Sequence, residues 1–231
     1  PWPDRNQGFE VHEFKKAFEI DDDSQNIPHL DVMLDGVSTS ECQQSLLLRK
    51  DSSGTYKVLV KRSVFRGPSG VVFQPSFPIV EVVFLNVDPL SRFSPVIEMR
   101  NCDLRPTGAD LQSTMVTILN EGGSDDYLQV LIKNCHISGQ PLVQPIPPNP
   151  AHKILGACLE AVWSGDSRGR VTVQDSILWD AEGDGVLGSV QGGGDAQGEI
   201  EIIGSDVAFH VVQAISISPD RRGRKASPRA S

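Results

Sequence analysis

The chain has 231 residues, of which 39 % are hydrophobic, and its 30 Asp and Glu outnumber its 21 Lys and Arg to give a net charge of -9. This acidic balance argues against binding to a nucleic-acid backbone, which requires a basic face. No apolar run approaches the roughly 20 residues of a membrane-spanning helix, so we expect no membrane insertion. All-β chains of this length commonly form one unit.

The first residues differ in pattern from the rest of the chain. Phe14 and Phe18 are four apart, as on an amphipathic helix, whereas residues 9–13 alternate like a strand. Residues 21–28 contain the acids, Asn and Pro of a surface loop. We interpret residues 1–28 as an N-terminal cap and loop.

A short phrase recurs over residues 29–218. Each copy alternates apolar and polar residues, reaches a small polar pair and resumes with an apolar residue, which is typical of a strand that bends at a fixed point. One further β segment follows each copy before the next begins. The copies are Val58–Phe65, Val96–Leu104, Val130–Ile137, Val171–Leu178 and Ile200–Val207.

This order predicts an all-β fold, a parallel β-helix over residues 29–218. Successive rungs of such a coil stack about 4.8 Å apart, so inward apolar side chains form columns. Asn101, Asn134 and Asp175 occupy the turn position, where we expect the two amides to hydrogen-bond to neighbouring rungs, while Arg62 and Gly204 stand there in two other copies. The spacing between these turn positions is uneven, at 39, 33, 41 and 29 residues.

An antiparallel β-sandwich is the alternative. Residues 46–60 read as a hairpin that turns at residues 51–54. The phrase at residues 82–87 also lies too close to Asn101 for a full rung between them.

The turn residues Asn101, Asn134 and Asp175, with the Gly-x-Gly turn inside residues 177–187, resemble right-handed parallel β-helix repeat proteins of the pectate-lyase-like type. The resemblance covers about residues 30 to 215 and implies a right-handed coil. It also implies that an active relative would use Arg or Lys beside acids and calcium. A repeat pattern specifies fold far better than activity.

Lys61, Arg100 and Lys133 each precede a turn position by one residue. In a stacked coil they form an outward basic column whose like charges repel one another. A bound polyanion such as a uronate chain would reduce this repulsion. The alternative is a charged surface that faces water.

Asp180, Glu182 and Asp184 imitate the opening of a calcium loop, because alternate carboxylates can converge on one hard cation. Gln191 stands at the twelfth position, where such a loop needs a bidentate Glu. Ca²⁺ is therefore the one cofactor that the sequence suggests, and a solvated acidic turn is the alternative.

Trp163 and Trp179 offer flat apolar faces to a sugar ring, or are partly buried against loops. Cys102 and Cys135 follow the two turn asparagines on adjacent rungs. They are either bridged or buried as free thiols, since neighbouring strands lie within disulfide range.

Residues 219–231 form a basic tail that we expect to be disordered. The chain shows no compact set of acid, base and nucleophile. We therefore favour a non-catalytic solenoid module that binds glycans or a protein partner at the cell surface or within a larger protein. The alternative is a polysaccharide lyase or glycoside hydrolase acting on acidic glycans.

Overall fold

The computed structural model describes residues 9–22, 29–50, 55–67, 77–85, 95–105, 114–121, 123, 126–138, 157–179, 185–191, 194–208 and 215–218. In these ranges the chain forms twenty strands, and no helix there is long and apolar enough to cross a membrane. The strands are β1 (Phe9–His12), β2 (Lys16–Asp22), β3 (His29–Asp35), β4 (Val37–Ser40), β5 (Gln44–Lys50), β6 (Thr55–Lys61), β7 (Val64–Arg66), β8 (Val80–Leu85), β9 (Val96–Arg100), β10 (Asp103–Arg105), β11 (Val116–Glu121), β12 (Leu128–Lys133), β13 (His136–Ser138), β14 (Leu159–Ser164), β15 (Arg168–Gln174), β16 (Ile177–Trp179), β17 (Val186–Gln191), β18 (Gln197–Ile203), β19 (Asp206–Ala208) and β20 (Ile215–Ser218).

Every third strand belongs to the same sheet. Sheet A has the order β1-β4-β7-β10-β13-β16-β19, sheet B the order β2-β5-β8-β11-β14-β17-β20, and sheet C the order β18-β15-β12-β9-β6-β3. The recorded pairings between these strands are all parallel, so each rung adds one strand to each sheet. The chain is a right-handed parallel β-helix, which confirms the predicted fold class.

Inward apolar columns hold the rungs together. In sheet C, Val58, Ile97, Val130 and Val171 lie in register on four successive strands, and each is almost fully buried. Burying one such side chain contributes roughly 1.5–3 kcal/mol. The period-2 alternation of the phrases arises because inward and outward side chains alternate along each strand.

The turn from sheet C to sheet A is built on left-handed residues. Arg62, Asn101, Asn134 and Asp175 have φ values of 51°, 55°, 52° and 49°. The backbone N–H of Asn101 donates to the carbonyl of Lys133 at 3.0 Å, and the other turn residues repeat this bond. Asn101 and Asn134 are exposed, and among the described residues it is their backbone N–H groups that bond to the next rung.

The antiparallel alternative is wrong. The two halves of the supposed hairpin are β5 of sheet B and β6 of sheet C, which pair with different neighbours; its turn, residues 51–54, lies outside the described residues. The phrase that begins at Val82 belongs to β8 in sheet B, whereas Asn101 follows β9 in sheet C. The phrase is therefore close to Asn101 in sequence because only one side of a rung separates them.

The N-terminal segment takes part in the coil. Residues 9–22, assigned from sequence to a cap, include β1 and β2, which pair in parallel with β4 and β5. Phe18 and Ile20 stack on Leu46 and Leu48 in this pairing, because the segment continues the inward column of sheet B. The basic tail, residues 219–231, lies outside the described residues.

Candidate functional site

The outer face of sheet C is more exposed than that of sheet A. Lys57, Arg100, Gln129 and Arg170 point outward from its central strands and are exposed. The outward side chains of sheet A are more enclosed, with Asp103 at 8 % exposure. A ligand in solution therefore meets the polar side chains of sheet C first.

Lys61, Arg100 and Lys133 lie in register at the ends of β6, β9 and β12. We call these three residues the cationic column. The same position is Asp35 on β3 and Gln174 on β15. The column thus spans three rungs about 4.8 Å apart and ends at an acid on one side and an amide on the other.

Asp35 partly neutralises one end of the column. Its carboxylate lies 3.1 Å from Lys61 Nζ and accepts from Arg62 Nε at 2.7 Å and Arg62 Nη2 at 2.5 Å. The hydrogen bond from Arg62 lowers the pKa of Asp35 to about 2, against a smaller opposing effect of burial and with further help from Lys61. Asp35 is therefore ionised throughout the physiological pH range.

Arg100 and Lys133, the other two cations of the column, differ in their acidic partners. Glu98 Oε2 lies 2.6 Å from Arg100 Nη2, so this pair is neutral overall. Lys133 has no ion pair among the residues that the structure describes. Lys61 and Arg62 thus share the carboxylate of Asp35, and Arg100 is paired with Glu98.

An interrupted apolar strip runs beside the column. Leu59 and Leu131 lie two residues before Lys61 and Lys133 on the same outer face, with Glu98 in register between them. Both leucines are half-buried. The face therefore joins positive charge to apolar surface, a combination that suits a ligand with anionic groups and C–H faces.

The two tryptophans are not equivalent. Trp163 is 3 % exposed and faces the core, so its ring offers no face to a sugar. This removes Trp163 from the predicted stacking residues. Trp179 is half-buried on sheet A, with its ring edge-on to His136 at 6.3 Å between centroids. It does not lie on the face that carries the cationic column.

Sheet A carries a polar cluster that the sequence analysis missed. The Asp103 carboxylate pairs with Arg66 and lies 2.9 Å from Arg105 Nε. Arg105 Nη2 lies 2.5 Å from His136 Nδ1, and His136 is itself 3.6 Å from Asp103. The signal in the sequence is the charged third residue of β7 and β10, which register places side by side.

The cluster is arranged for structural ion pairing. Burial lowers the pKa of His136, and the neighbouring charges of Arg105 and Arg66 lower it further, against the opposing effect of Asp103. In the neutral ring, Nδ1 accepts from Arg105 and Nε2 carries the proton. In this arrangement that lone pair is bonded to Arg105, and the two Asp103 oxygens are bonded to Arg66 and Arg105.

A ladder of hydroxyls and thiols follows the turn positions, at the second residue of the small polar pair that marks each copy of the phrase. Ser176 Oγ donates to the Gln174 carbonyl at 2.8 Å and accepts from the Cys135 N–H at 3.0 Å. Ser205 Oγ accepts from the Ser176 N–H in the same way. The Ser/Cys ladder consists of Ser63, Cys102, Cys135, Ser176 and Ser205.

The four cysteines, Cys42, Cys102, Cys135 and Cys158, are buried thiols that form no disulfide in the structure. The neighbouring thiol of Cys135, together with burial, raises the pKa of Cys102 well above its usual range. Cys102 is therefore a neutral thiol in the folded chain.

The predicted calcium ligands Asp180, Glu182 and Asp184 lie outside the described residues. Within the described ranges, no three His, Cys, Asp or Glu side chains are grouped to hold a metal ion.

No protein family model, no curated protein and no solved structure matches this chain. The assignment of the fold therefore rests on the pairing of the strands. The inference about function rests on the chemistry of the surface.

Proposed function

We propose that the chain is a non-catalytic β-solenoid module that binds an acidic glycan on the outer face of sheet C. The observation that carries the proposal is the in-register alignment of Lys61, Arg100 and Lys133 on the outer face of β6, β9 and β12. Asp35 and Glu98 offset part of the repulsion between these like charges, and an anionic ligand would offset the rest.

Several features support a glycan over a compact anion. The column crosses three rungs, so it suits an extended ligand that carries repeated anionic groups. Leu59 and Leu131 provide apolar contact beside it, which the C–H faces of sugar rings can cover. We also propose that the chain is related to pectate-lyase-like proteins, because its turn residues resemble those of that family. An acidic protein segment is the other ligand that the charge pattern admits.

The polar cluster of sheet A gives limited support to the enzyme alternative. It brings Asp103, His136 and two arginines together, as an acid-base site requires. However, the Nδ1 lone pair of His136 is bonded to Arg105 in the resting arrangement. A non-catalytic module therefore remains our proposal.

Binding to polygalacturonate and alginate, with neutral dextran as the reference, tests the proposal by isothermal titration calorimetry. Exposed ion pairs contribute about 0.2–1 kcal/mol each. Lys133→Ala should therefore weaken binding about 1.4- to 5-fold. Lys15→Ala, an exposed lysine in the turn between β1 and β2, is the control and should leave binding unchanged.

Asp35→Asn provides the opposite test. It releases Lys61 and Arg62 from their carboxylate partner, so affinity for an acidic glycan should rise. Equal binding of acidic and neutral glycans, or a loss of affinity in Asp35→Asn, would refute binding at this column. Product formation from either polymer would instead favour the lyase or hydrolase.

A further inference from the structure

Cys102 and Cys135 occupy neighbouring positions of the Ser/Cys ladder. The N–H of Asn101 donates to the Lys133 carbonyl at 3.0 Å, and the N–H of His136 donates to the Cys102 carbonyl at 2.8 Å. These two bonds bracket the cysteines and hold their rungs in register. Adjacent parallel strands lie about 4.8 Å apart, within the Cα separation of 4.4–6.8 Å that disulfides span.

The thiols of Cys102 and Cys135 are near enough to influence each other, since each shifts the pKa of its neighbour, upward for Cys102 and downward for Cys135. Each sulfur contacts two backbone carbonyls at long distances. Cys102 Sγ lies 3.4 Å from the Arg100 carbonyl and 3.7 Å from that of Val60, and Cys135 Sγ lies 3.4 Å from the Lys133 carbonyl and 3.5 Å from that of Met99. A thiol is a poor donor, so turning both sulfurs toward each other costs little hydrogen-bond energy.

The other cysteines are placed differently. Cys42 lies between β4 and β5, and its Sγ contacts the carbonyls of Val11 and Ser40. Cys158 precedes β14, and its Sγ contacts the carbonyls of Ile137 and Trp179. Neither belongs to the Ser/Cys ladder, so both serve as internal references.

We propose that Cys102 and Cys135 are a disulfide site that joins two successive rungs in an oxidising compartment. The oxidant is a low-molecular-weight disulfide such as oxidised glutathione. One cysteine thiolate attacks it and releases one equivalent of thiol, forming a mixed disulfide. The second cysteine then displaces the remaining thiol. Two cysteine thiols are oxidised, one external disulfide is reduced to two thiols, and both cysteine protons leave with those thiols.

Both sulfurs are buried in the folded chain, at 0 % and 2 % residue exposure. The reaction therefore takes place during folding or through local opening of the turn between β9 and β10. Once formed, the bond closes a loop of 33 residues and restricts the unfolded chain.

The test is to refold the full chain in oxidised or in reduced glutathione, block free thiols under denaturing conditions and map peptides by mass spectrometry. We expect Cys102 and Cys135 to be joined in the oxidised sample, with Cys42 and Cys158 blocked. The oxidised chain should melt roughly 4–16 °C above the reduced chain.

Cys102→Ser and Cys135→Ser are matched controls because serine already occupies this ladder at Ser63, Ser176 and Ser205. Each should keep the fold and the melting temperature of the reduced chain, and should lose the response to oxidant. Four blocked thiols after oxidation, a bond to Cys42 or Cys158, or an oxidised chain that melts no higher than the reduced one would overturn the proposal. If a serine variant fails to fold, the peptide map of the unaltered chain decides alone.

Discussion

Ser176→Ala is the sharpest test of the Ser/Cys ladder. Ser176 is 2 % exposed, and its hydroxyl donates to the Gln174 carbonyl at 2.8 Å while accepting from the Cys135 N–H at 3.0 Å. Alanine removes both bonds and leaves the buried N–H of Cys135 without this acceptor. Leaving one buried donor unsatisfied costs about 1–3 kcal/mol.

That loss should be measurable in both thermal and urea unfolding. For a chain of this size, each kcal/mol corresponds to about 2–4 °C in melting temperature, so Ser176→Ala should melt roughly 2–12 °C lower. Ser205→Ala should cost less, because Ser205 is only half-buried. Ser176→Cys should lie between the unaltered chain and Ser176→Ala, since thiols already serve at this position on two other rungs.

If the free energy of unfolding of Ser176→Ala lies within about 0.5 kcal/mol of that of the unaltered chain, the usual range of a neutral surface substitution, the ladder does not stabilise the fold as described. A larger loss in Ser205→Ala than in Ser176→Ala would also contradict it, because burial would then not govern the effect.

His136 should make stability fall as the pH drops below about 6.5, because its pKa is lowered in the folded state and only the unfolded state then takes up a proton. Urea unfolding of His136→Gln, which keeps an acceptor for Arg105, should therefore depend less on pH, and an equal pH dependence of the two chains would contradict this. Asn134→Ala should destabilise the chain by about 1–2 kcal/mol because φ is 52°, whereas Asn134→Gly should not; equal melting temperatures for the two variants would refute the strain argument. In Gly198→Ala the new Cβ would lie 2.2 Å from Cδ2 of the buried Trp163 ring, so we expect a loss of roughly 1–3 kcal/mol and a changed near-ultraviolet circular dichroism signal; an unchanged signal would show that the ring does not pack there.

The fold could be predicted because the turn imposes a local demand that recurs. Asn101, Asn134 and Asp175 adopt a left-handed conformation that short polar residues tolerate, so they mark the same corner of successive rungs. Gly36 also adopts the left-handed conformation, with φ of 67°. Its turn was not recognised in the sequence, because the phrase before it, on β3, lacks the polar pair that marks the other copies.

The candidate site was harder to predict because it depends on pairing between distant residues. The alignment of Lys61 with Arg100 follows once the turns are known, since both precede one. The partnership of Arg66 with Asp103 does not, because the two lie 37 residues apart and no local pattern connects them. The burial of Trp163 likewise depends on its neighbours in the coil, which its own strand does not reveal.

The most direct test of the proposed binding face is nuclear magnetic resonance of the isotopically labelled chain, titrated with a short oligogalacturonate. Lys61, Arg100 and Lys133 are separated by 39 and 33 residues in sequence, so only a stacked coil brings them to one ligand. We predict that the largest chemical-shift changes cluster at these three residues and at Leu59 and Leu131. Shifts confined to sheet A or sheet B, or no shifts at saturating ligand, would contradict the account.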